Sequence, residues 1–139
     1  MPSSVFLDTN GWIPLLNATE YMHERANNEW LGLGLRGYRI LLTDWIIAET
    51  GNGLARSREK ERFAESVERF WQSPVVEIVT VDRQLIAQAI HMYRTYMDKS
   101  WGLVDCTSFV IMQENGITHA FTSDRHFEQA GFTCLLPLQ

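Results

Sequence analysis

Short runs of consecutive apolar residues alternate along this chain with longer stretches whose apolar positions recur every three or four residues. The short runs read as strands buried on both faces and the longer stretches as amphipathic helices. Their alternation predicts an α/β fold: a parallel sheet of about five strands, flanked by helices on both faces. The predicted strands cover residues 5–7, 39–43, 75–81, 119–122 and 133–136.

Between the strands, helical periodicity begins after Asp8, breaks near Pro14 and resumes over residues 20–35, with Gly32, Gly34 and Gly37 at a frayed end. Asp44 is placed as the N-cap of a helix carrying Trp45, Ile46, Ile47 and Glu49. Over residues 57–71 one face collects Phe63, Val67, Phe70 and Trp71. Residues 82–97 carry the clearest stripe: Leu85, Ile86, Ala89, Ile90, Tyr93 and Met97. Residues 105–114 are apolar almost all round, which predicts a buried helix closed by Asn115-Gly116. No repeat, low-complexity tract or linker interrupts residues 1–139, which read as one domain.

Open parallel sheets bind ligands at the carboxyl ends of their strands. That rule picks out four acids. Asp8 ends the first strand, and Glu49 lies a turn into the helix after the second. Asp105 opens the buried helix before the fourth strand, and Asp124 follows that strand within Thr122-Ser123-Asp124. Singly, Asp8, Asp105 and Asp124 are explained as N-caps worth about 1 kcal/mol each, and Glu49 as a solvated helix residue. Together they form a carboxylate cluster, whose members raise one another's pKa unless a cation neutralises them. Carboxylate oxygens are hard donors suited to Mg²⁺ or Mn²⁺. Neither Cys106 and Cys134 nor His23, His91 and His119 show a ligand spacing that competes, and two cysteines make no disulfide framework.

Four segments, taken in order, resemble a known family: Val5-Phe6-Leu7-Asp8-Thr9-Asn10, Asp44-Trp45-Ile46-Ile47-Ala48-Glu49, Leu103-Val104-Asp105-Cys106 and Phe121-Thr122-Ser123-Asp124-Arg125-His126-Phe127. The pattern is similar to PIN-domain proteins and, more narrowly, to the VapC toxins of bacterial toxin–antitoxin pairs, over essentially the whole chain. The resemblance implies a PIN-like fold and a metal-dependent endoribonuclease whose acids correspond to Asp8, Glu49, Asp105 and Asp124. Thr9, Asn10 and Thr122 then stand where the family often keeps residues that orient the acids. It also implies an RNA substrate, a cognate antitoxin and a homodimer. One position departs from the pattern. His126 stands where many relatives carry a further Asp, which takes one carboxylate from the site and puts a second metal in question.

Such a site hydrolyses a phosphodiester with metal-activated water, so no side chain need be the nucleophile. Asp8 and Asp105 take the central ligand role in this reading, with Asp124 and Glu49 holding metal directly or through water. Thr9 and Ser108 lack a neighbouring His and a nucleophile elbow. An Asp-nucleophile phosphatase needs Asp-x-Asp, and the second position here is Asn10; a receiver domain needs a Lys after its last strand, which is absent. A non-catalytic PIN-like binder of RNA or protein, and a housekeeping RNA-processing nuclease, remain as alternatives.

Charge changes this picture little. Seventeen acids against 12 Lys and Arg give a net charge of −5, which argues against coating nucleic acid through bulk positive charge. Setting four acids aside as metal ligands leaves the rest almost balanced. Arg56, Arg58, Lys60, Arg62 and Arg69 are interleaved with Glu59, Glu61, Glu65 and Glu68, and read as a solvated ion-pair face. Arg125 and His126 are candidates for substrate phosphate. Among five tryptophans, Trp12 and Trp101 are placed near the rim as possible base-stacking residues, with core packing as the alternative. Trp30, Leu31, Leu33 and Leu35 form a candidate partner surface or an ordinary core face. No apolar run is long enough to cross a membrane. Met1-Pro2-Ser3-Ser4 shows no signal-peptide pattern, so a reduced, cytoplasmic location is expected.

Overall fold

The computed structural model describes residues 3–139; the reading of Met1-Pro2 lies outside them. Five strands, β1 (Ser4–Leu7), β2 (Arg39–Thr43), β3 (Val76–Val79), β4 (His119–Phe121) and β5 (Thr133–Cys134), form one sheet in the order β3-β2-β1-β4-β5. Every neighbouring pair is parallel. Seven helices connect them: α1 (Thr9–Leu16), α2 (His23–Leu35), α3 (Asp44–Gly53), α4 (Lys60–Gln72), α5 (Arg83–Thr95), α6 (Leu103–Glu114) and α7 (Arg125–Gln129). Val5, Phe6 and Leu7 are all fully buried. Successive strand residues point to opposite sides, so a strand buried at every position needs cover on both faces. That is the predicted architecture.

The strand order creates the site. The chain runs outward from β1 through β2 to β3, then returns to lay β4 on the other side of β1. The connections leaving β1 and β4 therefore diverge and open a crevice beyond their carboxyl ends. Register aligns Leu7 with Phe121, and the Asp8 N–H donates to the Phe121 carbonyl at 3.3 Å, so the residues that follow both strands meet. Gly11 permits α1 to sit directly on β4: a Cβ there would lie 2.0 Å from the Phe121 carbonyl oxygen.

Several local expectations need correction. Helix α1 continues two residues past Pro14, and His23 Nδ1 bonds the Pro14 carbonyl at 2.7 Å. Asp44 is not an N-cap. Thr43 caps α3, its hydroxyl accepting from the Ile46 N–H, while the Asp44 carboxylate accepts from the Val81 N–H at 2.9 Å and ties the ends of β2 and β3 together. Helix α6 starts at Leu103, two residues before Asp105, and is buried continuously over residues 106–112 as predicted. Strands β3, β4 and β5 are shorter than their apolar runs. Beyond β5, Leu135 and Leu136 still donate to the carbonyls of Ala120 and Thr122.

Trp12 and Trp101 are core residues, 1% and 7% exposed, so neither can stack on a base. Trp12 packs between Phe63 and Phe70, its indole N–H donating to Ser66. Trp101 packs on Phe109 and Tyr96 and donates to Gln129. Some apolar stripes are wider than the core they cover: Trp71, Ile90, Tyr93 and Met97 are exposed. The segment 30–35 is split, with Leu33 buried, Trp30 partly buried against Phe121, and Leu31 and Leu35 exposed. Along residues 56–69 the described residues form one ion pair, Arg62 with Glu59 at 3.5 Å, so the expected ion-pair face is sparse. Among the described residues no helix is long and apolar enough to cross a membrane.

Candidate functional site

Asp8 caps α1 with extended backbone, and its carboxylate accepts the Asn10 N–H at 3.2 Å. The Thr122 hydroxyl donates to the same oxygen, Oδ2, at 2.7 Å while accepting the Asp124 N–H at 3.1 Å. Thr122 thus links the two acids that follow neighbouring strands. Asp124 caps α7 by accepting the His126 N–H at 2.9 Å on Oδ1, and its Oδ2 receives the Asn10 side-chain amide at 3.4 Å. Asp105 occupies the third position of α6 and reaches back to the Gly102 N–H at 3.1 Å, the carboxylate half of a capping box. The cap and site explanations therefore coincide for Asp8 and Asp124, whereas Asp105 is not the N-cap expected of it: Gly102 is, because α6 begins two residues earlier.

Glu49 approaches from α3. Beside it the Thr9 hydroxyl, buried and bonded to that of Thr50 at 2.9 Å, favours its ionised form. Thr9, Asn10 and Thr122 all lie at the acids. His126 closes the cluster: its Nδ1 is 2.9 Å from Asp105 Oδ2 and 3.6 Å from Asp124 Oδ1, and its Nε2 is 3.3 Å from the Ser100 hydroxyl. Donor atoms of Asp105, Asp124 and His126 lie within 4.8 Å of one another, with Asp8 and Glu49 outside this tightest group. Arg125 turns away, donating to the Gln139 carbonyl at 3.1 Å.

The electrostatics are those of acids crowded together in a partly buried site, with His126 as their neighbouring base. Burial pushes the Asp8 carboxyl up to about 7 from an ordinary 3.8; the Thr122 and Asn10 bonds oppose that rise, and the charges of Glu49 and Asp105 add to it. Burial also raises Glu49, with Asp105 and Asp124 adding repulsion. Asp105 is raised by burial and by Asp124, against the pull of the Gly102 N–H and His126. A divalent cation reverses each of these penalties, and the carboxylate and imidazole donors suit one chemically.

Comparison with known proteins settles the lineage of this arrangement. The family model described as the PIN domain matches residues 5–133, a span that includes all four acids. The chain belongs to the PIN domain family.

Within that family, the 23S rRNA-specific endonuclease VapC20 of Mycobacterium tuberculosis is 29% identical over 133 residues, covering 96% of this chain and 98% of its own length. The crystal structure of VapC20, described as a Sarcin-Ricin loop cleaving toxin, superposes with a TM-score of 0.83 at 28% identity, over 96% of this chain and 99% of that one. VapBC2 from Rickettsia felis, solved bound to a DNA fragment from their promoter, gives a TM-score of 0.66 at 17% identity, over 94% and 96% of the two chains. FitAcB from Neisseria gonorrhoeae gives 0.64 at 22%, over 94% and 95%. The last two likenesses are of the PIN fold alone.

Beside the acids lies a cleft of about 370 Å³ lined by Trp45, Ala48, Glu49, Asn52 and Val104. Trp45 is the indole that does reach the rim. Helical spacing was the signal for it: positions 45, 48, 49 and 52 fall on one face of α3, beside an acid already singled out. Ser100 carried no such signal, because it sits in the irregular segment between α5 and α6 and meets His126 only through the fold.

Proposed function

We propose that this PIN-domain protein is a divalent-metal-dependent endoribonuclease, the toxin of a toxin–antitoxin pair, acting on RNA in the cytoplasm. The observation that carries the reading is the convergence of Asp8, Glu49, Asp105 and Asp124 at the β1/β4 switch point. Similarity to VapC20 along nearly the full length of both chains supports it. The printed function of that relative makes ribosomal RNA, in particular the sarcin–ricin loop of 23S rRNA, the first substrate to try. A cognate antitoxin and a homodimer belong to the same proposal. The exposed apolar side chains of α2 (Leu31, Leu35) and of α5 and its end (Ile90, Tyr93, Met97) are surfaces that partners would cover.

Asp8, Asp105, Asp124 and Glu49 are the residues proposed to hold Mg²⁺ or Mn²⁺, with Thr9, Asn10 and Thr122 fixing the carboxylates that do so. When bound, the cation supplies Lewis-acid polarisation of a phosphoryl oxygen and an activated water for in-line attack. The protein supplies placement. Thr122 and the Asn10 N–H hold Asp8 Oδ2, Asn10 and the His126 N–H hold both oxygens of Asp124, and Gly102 holds Asp105. The cleft beside Glu49 offers an indole face to an unpaired base next to the scissile phosphate.

The test is cleavage of a ribosomal RNA fragment and an unstructured RNA pool by purified, antitoxin-free protein in Mg²⁺, Mn²⁺ or EDTA, beside Asp8→Asn. Discrete metal-dependent products absent from the variant are expected. Folded protein that yields no products with any metal, or equal products from the variant, would refute the nuclease reading.

A further inference from the structure

The position at which this chain departs from the family pattern carries a more specific conclusion, one that rests on the nuclease reading. We propose that His126 is itself a metal ligand through Nδ1, alongside Asp105 and Asp124, and that this nitrogen donor makes the site prefer Mn²⁺ or a later first-row transition ion over Mg²⁺.

Three observations support it. The first is spacing. Two adjacent ligands of an octahedral ion with bonds of about 2.1 Å stand about 3.0 Å apart. His126 Nδ1 lies 2.9 Å from Asp105 Oδ2 and 3.6 Å from Asp124 Oδ1, within the range that one ion can draw together. The second is anchoring. Metal-bound imidazoles usually give their other ring N–H to a fixed acceptor, which sets the tautomer and the ring plane. Here Nε2 is 3.3 Å from the Ser100 hydroxyl, so an Nε2–H tautomer leaves the Nδ1 lone pair facing the two carboxylates. The third is backbone position. Asp124 caps α7 through the N–H of His126 itself, so the imidazole and the carboxylate are carried by one short rigid unit rather than meeting by chance across a loop.

A simple His126–Asp105 ion pair explains the first distance alone. An imidazolium shared between Asp105 and Asp124 fits the same distances in the metal-free protein, and an ion that displaces its Nδ1 proton finds the nitrogen already placed between the two carboxylates. Mg²⁺ favours oxygen ligands and water, whereas the transition ions gain from imidazole in the Irving–Williams order. Replacing a carboxylate by a neutral imidazole also removes a negative charge, which weakens the hold on Mg²⁺ without compensation.

The experiment uses the full chain, stripped of metal, and reads the ion directly. Mn²⁺ and Mg²⁺ are titrated by calorimetry into the parent, His126→Asp and His126→Ala, and the Mn²⁺ complexes are examined by electron spin-echo envelope modulation. The parent is expected to show imidazole-nitrogen modulation that both variants lose. The ratio of Mn²⁺ to Mg²⁺ affinity is expected to fall about tenfold in His126→Asp, which restores an oxygen donor. Mn²⁺ binding by the parent without nitrogen modulation overturns the proposal, as does an unchanged affinity ratio in folded His126→Asp. If either result accompanies metal-dependent RNA cleavage that Asp8→Asn abolishes, the ligand assignment falls and the nuclease reading stands. Failure of the parent to bind either ion removes both.

Discussion

Asp8 is the residue whose environment most opposes its own charge. It is 2% exposed, and burial, with Glu49 and Asp105 nearby, moves its carboxyl from an ordinary 3.8 up to about 7. Between those values the folded, metal-free protein binds the proton that the unfolded chain has released. The stabilisation is therefore fully present below about 3.8 and is lost as pH rises through about 7. At 1.36 kcal/mol per pKa unit, the span from 3.8 to about 7 sets a ceiling of about 4 kcal/mol on that loss by pH 8. Asp8→Asn removes the charge while keeping the shape. The amide oxygen can take the place of Oδ2 and accept from both Thr122 and the Asn10 N–H, and an NH₂ group replaces the atom that the neighbouring carboxylates repel. In EDTA at pH 8 the variant is expected to be more stable than the parent by about 2–4 kcal/mol, roughly 6–14 °C in Tm for a chain of this length. At pH 5, about one unit above the unfolded value, the advantage should shrink to roughly two-fifths of that. Thermal and urea unfolding of both proteins at the two pH values measures the difference. A gap between variant and parent that is the same at pH 5 and pH 8, or absent at both, would show that no repelled carboxylate is buried at this position. Saturating Mn²⁺ should reverse the order at pH 8, because the cation stabilises only the protein that keeps the carboxylate.

Asp105→Asn should stabilise the metal-free protein at pH 8 in the same direction but by less, since Asp105 already has the Gly102 N–H and His126 as partners; Tm in EDTA reads it. Gly11→Ala should cost about 3 kcal/mol or more in urea unfolding, because its Cβ would lie 2.0 Å from the Phe121 carbonyl oxygen and 2.5 Å from that residue's ring. Thr122→Val, which removes the hydroxyl donor to Asp8, should raise the Asp8 carboxyl further and weaken Mn²⁺ binding at pH 7 about tenfold by calorimetry, with Thr122→Ser restoring it. Trp45→Ala should raise KM for RNA about tenfold with kcat little changed, as expected for loss of one stacking platform, and should lower Tm modestly because the indole also packs against the core.

The elements that were legible in the chain are those whose causes are local. The continuous apolar run at residues 5–7 announces a strand covered on both faces, and the seven consecutive buried positions at 106–112 announce a central helix. Asp8 and Asp124 cap the helices they precede, because a carboxylate reaching an N–H two residues ahead needs nothing from the rest of the fold. Alternating strands and helices, with an acid beyond the first and fourth strands, were enough to locate a rim and its chemistry.

What no window of sequence contains is which residues meet across it. Asp8 receives its strongest hydrogen bond from Thr122, 114 residues away, only because the return of the chain lays β4 beside β1. The same return sets His126 against Asp105 and brings Ser100 to its other nitrogen, turning an apparent loss of one ligand into a candidate nitrogen donor. It also buries Trp12 and Trp101 while leaving Trp45 at the rim, although all three are tryptophans near an acid in sequence. Periodicity reports which face of an element is apolar, and caps report where it starts. The tertiary arrangement alone decides how far the core extends over that face and which charges must share one crevice, because both depend on contacts between segments distant in the chain.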